Sequence, residues 1–166
     1  MSLISNATQD ELDSPYYNQN QDICRKWEQF ILEKGGKING VFNAWSFMIK
    51  SKITGKKTWF IDVKKSTYSG GNLLLSLKYQ NLQEILTFKA RFNNIDCGNF
   101  CISRSFFRRK SQKHLFYRDV YNLLKKEIRD RSLYMTHFKN NELTIIIHHK
   151  NDGFDIANRI LEFDYH

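Results

Sequence analysis

Proline is almost missing from this chain. Pro15 is the only one among 166 residues, so glycine and asparagine must punctuate whatever folds after it. Cysteine is sparse as well: Cys24, Cys97 and Cys101. An odd number with no even framework argues against a disulfide scaffold and predicts a reducing, cytoplasmic setting. Cys97 and Cys101 stand four apart without a matching Cys or His pair, so no zinc set is spelled and no metal or other cofactor is expected. No apolar run approaches the roughly 18 residues of a membrane-spanning helix. The first residues lack a basic stretch followed by an apolar one, so no signal peptide is expected. Signatures of covalent and nucleotide chemistry are missing too. There is no Gly-x-Ser-x-Gly elbow. Gly35-Gly36 ends a helical pattern and Gly70-Gly71 precedes a strand pattern, so neither opens a phosphate-binding helix.

Acid is the last shortage, and it is local. Residues 35–113 hold fifteen basic and three acidic groups, a net +12, in a chain whose total is +9. Residues 1–34 carry net −3 and residues 114–166 net zero. A field of this kind attracts anionic partners: an acidic protein, nucleic acid or an anionic membrane surface. The plain alternative is that lysines on exposed strands block edge-to-edge pairing.

What is there begins with 41% apolar and 14% aromatic residues. A single domain of this size can bury a core from them without staples. Four segments alternate with period two. Trp45, Phe47 and Ile49 alternate with Ser46, Met48 and Lys50. Trp59, Ile61 and Val63 alternate with Thr58, Phe60, Asp62 and Lys64. Leu75, Leu77 and Tyr79 alternate with Leu74, Ser76 and Lys78. Leu86, Phe88, Ala90 and Phe92 alternate with Thr87, Lys89 and Arg91. Period two marks half-buried strands, and several in series mark an antiparallel sheet with one wet face. That face would carry Lys50, Lys52, Lys64, Lys78, Lys89 and Arg91 against one acid, Asp62.

Residues 1–20 read as a flexible polar arm, and 21–166 as one folded domain. A helix is expected over 22–34, with Ile23, Trp27, Phe30 and Ile31 on one stripe and Gly35-Gly36 as its stop. A fifth strand is expected over 99–106, followed by a dense basic loop holding Arg108, Arg109, Lys110 and Lys113. A second helix follows over 115–129. A hairpin comes next, 133–138 and 143–149, turning at Asn140-Asn141. Residues 144–147 are apolar on both sides, which predicts a covered strand or an oligomer contact. A short helix carrying Ile156, Ile160 and Leu161 closes the chain. The clustered strands predict an α+β fold: a five-stranded antiparallel meander plus a C-terminal hairpin, packed against two longer helices and one short one.

Two constellations bear on chemistry. Trp59-Phe60-Ile61-Asp62-Val63-Lys64 places an acid and a lysine two apart on a strand, hence on one face. This resembles the half-motif of the restriction-endonuclease-like nucleases, in which the acid would hold a divalent metal and the lysine would sit beside the attacking water. That family's pattern needs a further acid. None occurs between Glu33 and Asp62, which leaves Glu28 on the first helix as the candidate. His148 and His149 are adjacent on a strand and point to opposite faces, so they do not share an ion; His137 could meet one of them across the hairpin. For nucleic acid, single-strand binding by a sheet needs stacking aromatics among its cations, and only Phe60 falls on the polar side. The sequence therefore favours a non-enzymatic binding module for an acidic protein, with a metal-dependent nuclease built on Asp62, Lys64 and Glu28 as the alternative.

Overall fold

The computed structural model describes residues 3–66, 84–103, 114–149 and 153–165. These residues build one eight-stranded sheet and five helices. The strands are β1 Leu3–Ser5, β2 Lys37–Phe42, β3 Ser46–Thr54, β4 Thr58–Ser66, β5 Glu84–Arg91, β6 Phe100–Ser103, β7 Leu133–Lys139 and β8 Glu142–His149. The helices are α1 Gln9–Leu12, α2 Pro15–Glu33, α3 Leu115–Leu123, α4 Lys125–Arg129 and α5 Phe154–Glu162. The order across the sheet is β1-β2-β3-β4-β5-β8-β7-β6. All pairings are antiparallel except β1 with β2. The α+β class expected from clustered strands holds.

The meander differs from expectation. Strands β2 to β5 run consecutively, but β5 pairs with β8, and β6 lies at the far edge beyond the hairpin. The apolar pattern of β8 explains this. Leu143, Ile145 and Ile147 are fully buried on one face while Thr144 is buried and Ile146 half-buried on the other. A strand covered on both faces suits the middle of a sheet, and the four-residue β6 suits an edge. The segment around Leu75, Leu77 and Tyr79 lies outside the described residues; β4 pairs directly with β5.

The first helix also starts earlier than expected. Ser14 caps it, accepting from the Tyr16 N–H at 3.3 Å, and Pro15 fills the first turn. Tyr17, Asn20, Cys24, Trp27 and Ile31 form its buried stripe. Its end has the paired backbone bonds of a Schellman stop: Gly36 N–H donates to the Ile31 carbonyl at 2.9 Å, and Gly35 has φ of 70°. The residues expected as an arm thus carry β1, α1 and the start of α2. The expected helix over 115–129 breaks at Leu124 into α3 and α4.

Helices α2 to α5 place their buried side chains on one face of the sheet. There Trp27 packs on Phe154 at 4.5 Å, and Phe116 on Phe138 at 5.0 Å between ring centroids. Ile49, Ile61, Val63, Leu86 and Phe88 supply the strand side of this core. Asn20, buried within α2, donates to the backbone carbonyls of Asn43 at 2.9 Å and Ala44 at 3.2 Å and accepts from Lys65 at 3.3 Å. One amide so ties the helix to the β2–β3 turn and to β4. Among the described residues no helix lies on the opposite face, and no helix is long and apolar enough to cross a membrane.

Candidate functional site

The helix-free face is read from register. One row runs Lys37, Lys52, Phe60, Lys89, Thr144, His137 and Cys101 across seven strands. The next runs Asn39, Lys50, Asp62, Thr87, Ile146, Met135 and Ser103. A third holds Ile4, Val41, Met48, Lys64, Ile85 and His148. Arg91, Glu142 and Lys139 stand side by side at the end of the face.

Lys50, Lys52, Lys64, Lys89 and Arg91 all fall on this face and are exposed. Lys78, Arg108, Arg109, Lys110 and Lys113 lie outside the described residues. Two further cations, absent from the sequence pattern's basic row, share the face: Lys37 and Lys139. The signal for Lys37 was present in Lys37-Ile38-Asn39-Gly40-Val41-Phe42. Glycine at the inward position interrupts its apolar side, so the alternation is easily overlooked.

Lys37 is the direct register partner of Lys52, and Lys52 and Lys89 flank Phe60. Among the described residues none of these cations forms an ion pair; the ion pairs join Lys56 to Asp164, Lys126 to Asp155, and Arg159 to Glu127 and Asp155. Phe60 is 49% exposed, and the Lys52 ammonium stands 5.7 Å from its ring centroid. A cavity of about 300 Å³ opens beside it, lined by Thr58, Phe60, Lys89, Ala90, Arg91 and Glu142. On the same face Tyr134 stacks on His148 with ring planes parallel and centroids 4.7 Å apart. At the opposite end of the third row Ile4, Val41 and Met48 are exposed, with Lys64 next to Met48.

Asp62 and Lys64 share this face, as alternation requires. Asp62 is half-buried between Lys50 and Thr87, and Lys64 stands between Met48 and Ile85. Glu28 is on α2, against the other face, so the structure does not bring it to Asp62. His137 faces Thr144 and Cys101, four residues along β8 from the position of His148. Among the described residues no group of three or more His, Cys, Asp or Glu is placed to hold a metal.

The helix side has its own polar group. Burial pushes the Cys24 thiol up to about 12, with Glu84 and Glu28 adding to the shift and Lys65 opposing it. Burial pulls Lys65 down, against Glu84 and Cys24. A thiol shifted this way stays protonated and is a poor nucleophile.

Comparison with family models, with curated proteins and with solved structures finds no match.

Proposed function

We propose that this protein is a non-enzymatic binding module of a reducing, cytoplasmic setting, and that the lysine-bearing face of its sheet engages an acidic partner protein. One observation carries the reading: Lys52, on an interior strand, has Lys37 as its direct register partner and Lys89 two strands away in the same row, and none of the three forms an ion pair among the described residues. Like charges directly opposite are destabilising. Lysines that only guard against aggregation belong on edge strands. Here the edges are β1, the part of β2 that β1 leaves uncovered, and β6, whereas Lys50, Lys52, Lys64, Lys89 and Arg91 sit on β3, β4 and β5. An anionic partner would relieve their mutual repulsion.

A protein fits better than nucleic acid. Phe60 is the one aromatic within the lysine row, and Tyr134 is already stacked on His148. Sequence-tolerant binding of single strands uses successive stacking platforms. Exposed Val41 and Met48 beside the cations offer apolar contact that a protein surface can use.

Affinity capture tests this. Bait protein should retain a partner from lysate, and nuclease treatment should leave that partner bound. Reversing charge at Lys64, Lys89 and Arg91 together should abolish capture; unchanged capture would sink the proposal. For the nuclease alternative on Asp62 and Lys64, no cleavage of DNA or RNA is expected with Mg²⁺ or Mn²⁺. Cleavage that disappears in Asp62→Asn would replace our reading.

A further inference from the structure

Resting on the acidic-partner reading, we propose that the row Lys37, Lys52, Phe60 and Lys89 takes an extended peptide segment of the pattern acid-x-apolar-x-acid, laid across the strands. The spacing argues it. Neighbouring strands lie about 4.8 Å apart, which puts Phe60 about 7 Å from the midpoint of the Lys37–Lys52 pair and Lys89 about 5 Å farther on. An extended chain repeats its same-side side chains about every 6.7 Å. Residues i, i+2 and i+4 therefore reach the lysine pair, the Phe60 ring and the cavity beyond it.

Each station matches one side-chain chemistry. Two ammonium groups in register oppose the first carboxylate. The half-exposed Phe60 ring accepts an apolar or aromatic side chain. The cavity of about 300 Å³ presents Lys89 and Arg91, both without an ion pair among the described residues, to the second carboxylate. Glu142, the register partner of Arg91, lines the same cavity. Its negative charge disfavours a doubly charged phosphate more than a singly charged carboxylate. The lysine stems flanking Phe60 are flexible and tolerate small offsets, so the aromatic station fixes the register.

Fluorescence polarisation with labelled synthetic peptides tests the spacing. One peptide carries Glu-Ser-Phe-Ser-Glu between Gly-Ser flanks; the other has the same composition with its two acids adjacent. The spaced peptide should bind at least about fivefold tighter. Lys52→Glu with Lys89→Glu should weaken it by about tenfold or more, and Lys52→Gln with Lys89→Gln should weaken it less. Phe60→Ala should weaken the spaced peptide and leave poly-glutamate binding unchanged. Lys26→Glu, on the helix side, should change nothing. Circular dichroism checks that each variant is folded.

Equal affinity for the two peptides, both still dependent on Lys52 and Lys89, would overturn the spacing and leave the acidic-partner reading standing. No binding of any acidic peptide or of poly-glutamate would overturn both. So would tighter binding of a uridine oligonucleotide or of phosphatidylserine vesicles than of any peptide.

Discussion

Glu127 is buried, with 4% of its side chain exposed, and its carboxylate is met by Arg159 from α5. Arg159 also donates to the Leu123 carbonyl at 2.9 Å and pairs with Asp155 at 3.3 Å. The two partners are not equivalent. Arg159→Met would leave a buried carboxylate unanswered and a carbonyl without its donor. It should cost about 2–4 kcal/mol in urea unfolding. Glu127→Gln keeps an acceptor, while Arg159 is one-third exposed and retains Asp155, so it should cost about 1 kcal/mol. The reverse ranking would show that the clamp is misread. Asp155 answers to pH. Desolvation raises its carboxyl, but Arg159 and Lys126 outweigh that and hold it below the usual carboxylate range. A depressed carboxyl adds stability above its unfolded value and loses it as pH falls through the lowered one. Asp155→Asn should therefore flatten the acid limb of a pH–stability curve. The cysteines give a third readout at this scale. Cys101 is exposed, Cys97 half-buried and Cys24 buried, and the Cys97 thiol is raised by burial and by Asp96. Iodoacetamide should label them in the order Cys101, Cys97, Cys24, as followed by mass spectrometry.

Among the elements, β1 depends on a single missing side chain. Gly40 of β2 faces Leu3 of β1 in register, and a Cβ added there would lie 2.4 Å from the Met48 carbonyl oxygen and 3.0 Å from the Leu3 side chain. The close approach of backbone requires glycine, and buried Leu3 covers the notch. Gly40→Val should force β2 from β3 and release β1. Hydrogen exchange should then quicken at the Asn6 amide, which donates to the Phe42 carbonyl at 3.0 Å, while β8 stays protected. The same glycine shows why some of the fold was legible and some was not. β3, β4 and β5 were readable because Phe47, Ile49, Trp59, Ile61, Leu86 and Phe88 alternate without interruption. The turn of the β7–β8 hairpin was readable because Asn140 and Asn141 tolerate the positive φ of 52° and 62° that it needs. β2 was obscured by Gly40, and Lys37 with it. The start of α2 was obscured because Asn18, Gln19, Asn20 and Gln21 resemble a polar arm until Asn20 meets the β2–β3 turn. Hairpin neighbours were legible from their turns, but the pairing of β5 with β8 and the place of β6 were not: local pattern fixes what a strand buries, and these pairings depend on contacts distant in sequence.

For the whole molecule, the two faces make opposite demands. The helix side is packed by aromatic contacts and tied by the Arg159 clamp. The lysine side holds repulsion that the fold does not need. Lys52→Glu should therefore stabilise the free protein, by about 0.2–1 kcal/mol at low salt, while weakening partner capture. Added salt should shrink both effects, since screening acts within about 10 Å at 0.1 M. A calorimetric melt of wild type and Lys52→Glu at two salt concentrations reads this out. A lower melting temperature for the variant at low salt would mean that Lys52 has a structural role of its own.

The central position of β8 has a consequence for how the chain is made. A ribosome releases β2 to β5 in order, and each can pair with the strand before it as it emerges. The next strand to appear, β6, is not the neighbour of β5. The inner rim of β5 must wait for residues 142–149, after α3, α4 and β7 have been synthesised. Until then a nascent five-stranded platform has an open rim, with Leu86 and Phe88 on its helix side. Among the described residues the strand that covers this rim is the last in sequence, so β5 gains its second neighbour only after β6, α3, α4 and β7 have been made.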